Sequence, residues 1–213
     1  MRLLIVLFCF VALSGCQSTG LTKSQAYPNM YKEKPPSILV IPAINLSTAA
    51  DAPQLFSSTV TQPLAEAGYY VFSVPNSHQF FATEGIVDGQ QLVNIEPQRF
   101  QTLFGADSVL FVTIEKWNTN YLLTSGNVTV ALKFKLVSTH TGETLWQRKE
   151  LIVEDTSGDS DNLLVKMIGT AINSVMLDYV TVARRVNRQI VATLPLGKYH
   201  SAHMTDQEQV ISR

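Results

Sequence analysis

The groups able to do chemistry in this chain are few, and their spacing narrows them further. Four histidines, His78, His140, His200 and His203, could move protons or ligate a metal. His200-x-x-His203 would put two imidazoles on one helical turn, but that is half of a closed zinc site, and the polar run around them reads as a loose tail. His140 falls in the turn sequence Thr139-His140-Thr141-Gly142-Glu143, where solvent surrounds it. His78 follows Ser77 without a nucleophile-elbow sequence or an orienting acid, so no Ser-His-Asp arrangement is predicted. The acidic stretch from Glu154 to Asn162 lacks the alternating oxygens and closing Glu of a helix-loop-helix calcium site. It reads as a loop entering a helix whose positive end favours acids. The isolated glycines at 85, 89, 105 and 126 form no phosphate-cradling loop. The sequence therefore predicts no catalytic residue, no cofactor and no metal site.

Cys16 is different, because its neighbours give its sulfur a defined chemistry. It closes Leu13-Ser14-Gly15-Cys16, after eleven unbroken apolar residues from Leu3 to Leu13 and the single cation Arg2. This is the layout of a secretory leader, and it falls short of the roughly 20 residues that a membrane-spanning helix needs. Leu and two small residues before a Cys resemble the lipobox of bacterial lipoproteins, in which the thiol takes a diacylglyceryl group, the leader is removed and the new amino terminus is acylated. The resemblance implies a signal peptide over residues 1–15, lipid attachment at Cys16 and a membrane anchor of three fatty chains. Each buried methylene contributes about 0.8 kcal/mol, and two lipid signals already hold a protein stably. Gln17 stands where this class carries Asp for inner-membrane retention, which implies the outer membrane, facing the periplasm. With Cys9 in the leader and Cys16 a thioether, no thiol is left for disulfides, redox motifs or metal ligation.

The elements that must carry any site are legible in outline. Without residues 1–15, 198 residues hold 15 basic and 17 acidic side chains, a net −2 that supplies no basic stripe for nucleic acid. With 46% hydrophobic and 15% charged residues the chain reads as a packed globule. Residues 16–36, rich in Ser, Thr, Gln, Lys and Pro, are expected to be the lipidated Cys and a flexible tether of roughly 25 Å mean span. Residues 37–195 form one α/β domain, and 196–213 a C-terminal tail. Ser37–Pro42 is a continuous apolar run, the mark of a strand buried on both faces. Leu55, Phe56, Val60, Leu64 and Ala67 predict a helix over 53–67 that Pro63 kinks or shortens. A strand over 69–74 then makes a parallel strand-helix-strand unit. A short helix near 77–84, another from Pro97 to Gly105 and a strand over 107–117 follow. Val128, Val130, Leu132, Phe134 and Leu136 alternate with Thr129, Ala131, Lys133 and Lys135, a strand with one wet face. Gly142 turns it into an antiparallel partner over 144–155. Ser160 or Asp161 caps a long C-terminal helix to about Arg188, with Val182 and Val186 in its buried stripe and Arg184, Arg185 and Arg188 at its carbonyl end. The fold class is α/β (α+β), a mixed sheet of about five strands with helices packed on it. Trp117, Tyr121 and Trp146 lie around the hairpin, where aromatics either pack or recognise a partner.

"FGADSVLFVTIEKWNTNY" and "LVSTHTGETLWQR", with "ILVIPAINLS", "LAEAGYYVFSVP" and "LPLGKYH", resemble a family of bacterial lipoproteins with a domain of unknown function that includes a meningococcal surface lipoprotein. More distantly, the opening strand-helix-strand and the Thr-Gly-Glu hairpin are similar to the N-terminal domain of TolB, to CsgG and to LpoB. The resemblance implies a non-enzymatic accessory or assembly factor of the envelope that binds other envelope proteins, with a CsgG-like lipoprotein as a partner. A peptidoglycan-binding or peptidoglycan-modifying protein using Glu115, Glu143 or Asp155 is the rival expectation.

Overall fold

The computed structural model describes residues 20–121, 126–155 and 173–211. Cys16, most of the acidic stretch and the start of the expected C-terminal helix lie outside the described residues. Two short helices, α1 (Lys23–Ala26) and α2 (Pro28–Glu33), precede β1 (Ser37–Val40). All four β1 residues are buried. Ile38 and Val40 join one core layer and Leu39 and Ile41 the other, as an apolar strand covered on both faces must. The chain continues through β2 (Ile44–Asn45) and α3 (Ala52–Glu66) to β3 (Tyr70–Val71), which pairs parallel with β1. Next come α4 (Val74–Thr83), a 3₁₀ turn (Gly89–Leu92) and α5 (Pro97–Phe104). The long strands β4 (Ser108–Tyr121), β5 (Gly126–Ser138) and β6 (Thr144–Asp155) lead on to α6 (Asn173–Val191).

These strands make one mixed sheet of six in the order β3-β1-β4-β5-β6, with β2 also on β4. Pairing is parallel among β1, β3 and β4 and antiparallel across β4, β5 and β6. One face carries α3 and α6, whose Phe56, Val60, Leu64, Val182, Val186 and Ile190 meet Phe134 and Trp146 in the larger core. Asn187 Nδ2 ties the two helices by donating to Thr59 Oγ1 at 2.9 Å. The opposite face holds a smaller core in which Phe81 and Phe100 cover Leu39, Ile41 and Val109.

Two local expectations are adjusted and a third holds. Pro63 does not end α3, which runs on to Glu66 with Pro63 and Leu64 both buried against the core. β3 is shorter than 69–74 because Pro75 sits in the first turn of α4, where a residue without an N–H belongs. The helix therefore takes over at Val74. The hairpin closes as expected, with Gly142 at φ 76° and its N–H donating to the Ser138 carbonyl at 3.0 Å.

The larger correction concerns the two ends. From residue 20 the segment expected to be a flexible tether is packed. Thr22 and Gln25 form a reciprocal capping box on α1, and Pro28 opens α2. Tyr27 and Met30 enter the main core. The expected loose tail is packed as well. Gly197 and Tyr199 donate their N–H groups to the carbonyls of Ala67 and Gly68 at 2.8 and 2.9 Å. Gly68, at φ 89°, lies so close that a Cβ would be 2.4 Å from the His200 nitrogen, so only glycine admits this approach. Thr22 and Val210 pair as an antiparallel bridge, which joins the two ends to each other.

Candidate functional site

The residues singled out for chemistry do not converge. His140 is exposed at the turn, as expected, and is also held there: its Nε2 lies 3.2 Å from Asp107 Oδ1 and its Nδ1 2.8 Å from Gln101 Nε2. Ser37 Oγ donates to the other Asp107 oxygen at 2.5 Å. A serine on the acid and a histidine beyond it is the wrong order for nucleophilic catalysis, since the imidazole must touch the hydroxyl. Here the trio staples the start of β1 to the β5–β6 turn. His203 Nδ1 lies 2.8 Å from the Leu196 carbonyl, and His200 Nδ1 accepts from the Ala202 N–H at 3.0 Å. Among the described residues no three His, Cys, Asp or Glu side chains gather as a metal would require. Glu115 lies beside Lys149 at 2.8 Å, whereas Glu143 precedes Lys149 by six residues of extended chain, roughly 20 Å. A glycoside-cleaving carboxylate pair sits about 5–9.5 Å apart, so those two acids do not form one. Trp117 and Trp146 are buried in the main core. The side chains of Tyr121 and Asp155 lie outside the described set.

Two other features are shaped like sites. The first is a cleft of about 330 Å³ beyond the carboxyl end of β1, lined by Pro42 and Ala43, by Pro53 and Ser57 of α3, and by His78 and Ala82 of α4. It lies where the chain has gone to one side of β1 for β3 and then to the other for β4, the topological switch point at which open α/β sheets hold ligands. Its chemistry is sparse. Ser57 Oγ donates to the Pro53 carbonyl at 2.7 Å, and the buried His78 Nε2 has no hydrogen-bond partner. Burial holds the His78 imidazole below its ordinary value, offset in part by the carbonyls of Ile41 and Val40. The folded state thus takes up that proton less readily than the unfolded chain. The His78 contribution is complete above about pH 6.5 and is lost as pH falls through the lowered folded value. Urea midpoints measured at pH 7.5 and 5.5 are expected to differ more for the natural chain than for His78→Gln.

The second is the clasp that joins the ends. Lys23 Nζ donates to Asp206 Oδ2 at 3.1 Å and to the Leu194 carbonyl at 3.0 Å. Asp206 also accepts from the Leu196 N–H at 2.9 Å and from the Tyr31 hydroxyl at 3.1 Å. Both side chains of the ion pair are almost fully buried. Neither was singled out from the sequence, because 183 positions separate them. Thr22-x-x-Gln25 and Pro28 were the available signals that this end is structured.

A family model for GNA1162-like lipoproteins matches residues 25–197, from α1 to the turn that packs on Gly68. The chain belongs to this family. It is 29% identical to lipoprotein NMB1124/NMB1162 of Neisseria meningitidis serogroup B over 173 residues, 81% of this chain and 80% of that one. The crystal structure of the GNA1162 lipoprotein from Neisseria meningitidis superposes with a TM-score of 0.54 at 30% identity, covering 67% of this chain and 99% of that one. The GNA1162-like fold is thus the six-stranded mixed sheet with helices described above. PelC from Paraburkholderia phytofirmans, crystallised as a dodecamer, shares that fold at 13% identity and a TM-score of 0.50, over 78% of this chain and 90% of its own. Among the described residues of this GNA1162-like chain, no helix is long and apolar enough to cross a membrane.

Proposed function

We propose that this chain is an outer-membrane lipoprotein, held by a lipid on Cys16 and facing the periplasm, that acts without catalysis as an accessory factor by binding other envelope proteins. A CsgG-like lipoprotein is the first partner to seek. Membership in a lipoprotein family supports the anchor. The observation that carries the mode of action is the nearness of the folded body to Cys16. Packed structure is under way at Leu21, whose carbonyl accepts the Ile211 N–H at 2.9 Å. The four residue steps from Cys16 to Gly20 can span at most about 14 Å. A body on so short a leash works at the bilayer surface, where it presents one fixed side to the membrane and the rest to neighbouring proteins.

The test begins with mass. The tryptic peptide from Cys16 to Lys23 should carry a diacylglyceryl group on sulfur and an acyl chain on its amino terminus. An unmodified sulfur would remove the anchor. The natural chain should band with outer membranes on a density gradient, and Gln17→Asp should move it to the inner membrane. A chain that ignores that substitution would refute the sorting.

A further inference from the structure

One part of the sheet lacks a cover among the described residues. On the face held by α4 and α5, Val137 is the one β5 residue in the core, and no β6 residue joins it. Beyond Phe111 the same face opens to solvent along β6, although Ala131 of β5 stays buried. Leu151 and Val153 are 59% and 57% exposed there, and elsewhere on this face Ile44, Val93, Phe111, Thr113, Lys133 and Lys135 line a recess of about 190 Å³.

Two of the charges at this recess are not matched among the described residues. Lys135 stands opposite Phe111 and Lys133 opposite Thr113 on β4, while Lys133 also faces Lys149 directly across β6. Like charges in that position repel. Glu115 relieves Lys149 at 2.8 Å. Lys133 and Lys135 make no ion pair among the described residues. In a chain whose formal net charge is −1, this is a local concentration of cations around a largely apolar recess.

We propose that this recess docks an acidic, extended segment of another envelope protein, with carboxylates on Lys133 and Lys135 and an apolar side chain in the recess. The proposal rests on the reading of the chain as a binder of envelope proteins, and it names the chemistry of the partner. Anionic lipid fits less well, because the apolar groups line a recess, which a flat bilayer surface does not enter and a protruding side chain does. A second copy in two-fold contact would bring the same lysines face to face.

Zero-length carbodiimide coupling in native membranes, followed by peptide mapping, tests this directly, since the reagent joins an amine to a carboxylate only where they touch. An amide from Lys133 or Lys135 to an Asp or Glu of another protein is expected. Its yield should fall steeply in about 1 M salt, where the screening length drops to about 3 Å. The doubly substituted Lys133→Glu/Lys135→Glu chain should lose that product at least about tenfold, because like charges across an interface are strongly disfavoured. Its urea midpoint should stay at or above the natural one, since the reversal at 133 removes the repulsion with Lys149. Coupling of other lysines to neighbouring proteins, with Lys133 and Lys135 unreacted, would overturn the recess and leave the wider reading standing. Coupling of these two lysines only to a second copy of the chain would overturn it too. If phosphatidylglycerol vesicles shield them from acetylation in the purified protein, the face belongs to lipid. No coupling to another protein from any position would overturn both readings.

Discussion

Replacing Asp206 with alanine is expected to destabilise the fold by about 3–5 kcal/mol, the loss found when one partner of a buried ion pair is removed. The geometry explains the size. Three donors lose an acceptor together: the Lys23 ammonium, the Leu196 N–H and the Tyr31 hydroxyl. The ammonium, with 5% of its side chain exposed, keeps only the Leu194 carbonyl and cannot recover its hydration without leaving the core. Lys23→Met should cost less, because Asp206 would retain a backbone N–H and a phenol. The double replacement Lys23→Met/Asp206→Leu should cost less than the sum of the two single changes, since a buried pair exchanged for apolar groups is often close to neutral. Urea unfolding of the four chains checks this cycle, and strict additivity would show that the two charges do not act as a unit. Burial and the neighbouring Asp206 carboxylate push the Tyr31 and Tyr69 hydroxyls above their ordinary range. Their contribution is therefore complete below about pH 10, and stability falls as pH rises beyond it. Under the proposed lipid anchor at Cys16, the clasp would also set the leash. If the segment before β1 came free, the roughly 14 Å limit would give way to a coil of about 25 Å mean span, and the proposed fixed orientation at the bilayer would be lost.

How much of this was legible depended on whether the signal was local. The apolar run at Ile38 to Ile41 and the alternation of Val130, Leu132, Phe134 and Leu136 with Lys133 and Lys135 fixed two strands and their burial, because a strand's period is two whatever it packs against. Gly142 announced its turn for the same reason. Val182 and Val186 marked the buried side of α6 through the helical period. The ends were misread because polar composition is weak evidence for disorder when only a few residues do the anchoring. Tyr27 and Met30 carry little periodicity in ten residues of helix interrupted at Tyr27, and Tyr27 meets Trp146 far along the chain on β6. The Lys23–Asp206 contact has no sequence signature, since nothing local tells a paired lysine from a solvated one. The recess on the open face was half legible. Alternation told that Lys133 and Lys135 face water, but only the register showed Lys133 opposite Lys149, and only the fold the recess that Lys133 and Lys135 line.

Trp146→Ala is expected to cost about 3–5 kcal/mol, the range for deleting a buried aromatic side chain. Trp146 is 1% exposed and lies edge to face with Phe134 at 5.8 Å and with Tyr27 at 6.5 Å. Phe134 in turn meets Phe56 of α3 at 5.8 Å. The four rings run from the packed N-terminal segment through the sheet to the helix layer, so the loss should loosen the attachment of α1 and α2 as well as the core. Trp146→Phe separates ring packing from hydrogen bonding. The indole Nε1 is buried without a partner, and an unsatisfied buried donor costs about 1–3 kcal/mol. The smaller ring therefore gives up volume but loses no hydrogen bond, and it should cost well under half as much as alanine. Unfolding by urea, followed by far-ultraviolet circular dichroism so that loss of the indole does not disturb the signal, gives both values. If Trp146 served recognition at a surface, alanine would leave stability within about 0.5 kcal/mol, as exposed substitutions do, and would instead reduce coupling to the partner. The buried chain of rings requires the opposite outcome: a large loss of stability from alanine, a small one from phenylalanine, and unchanged coupling at Lys133 and Lys135 in the phenylalanine variant.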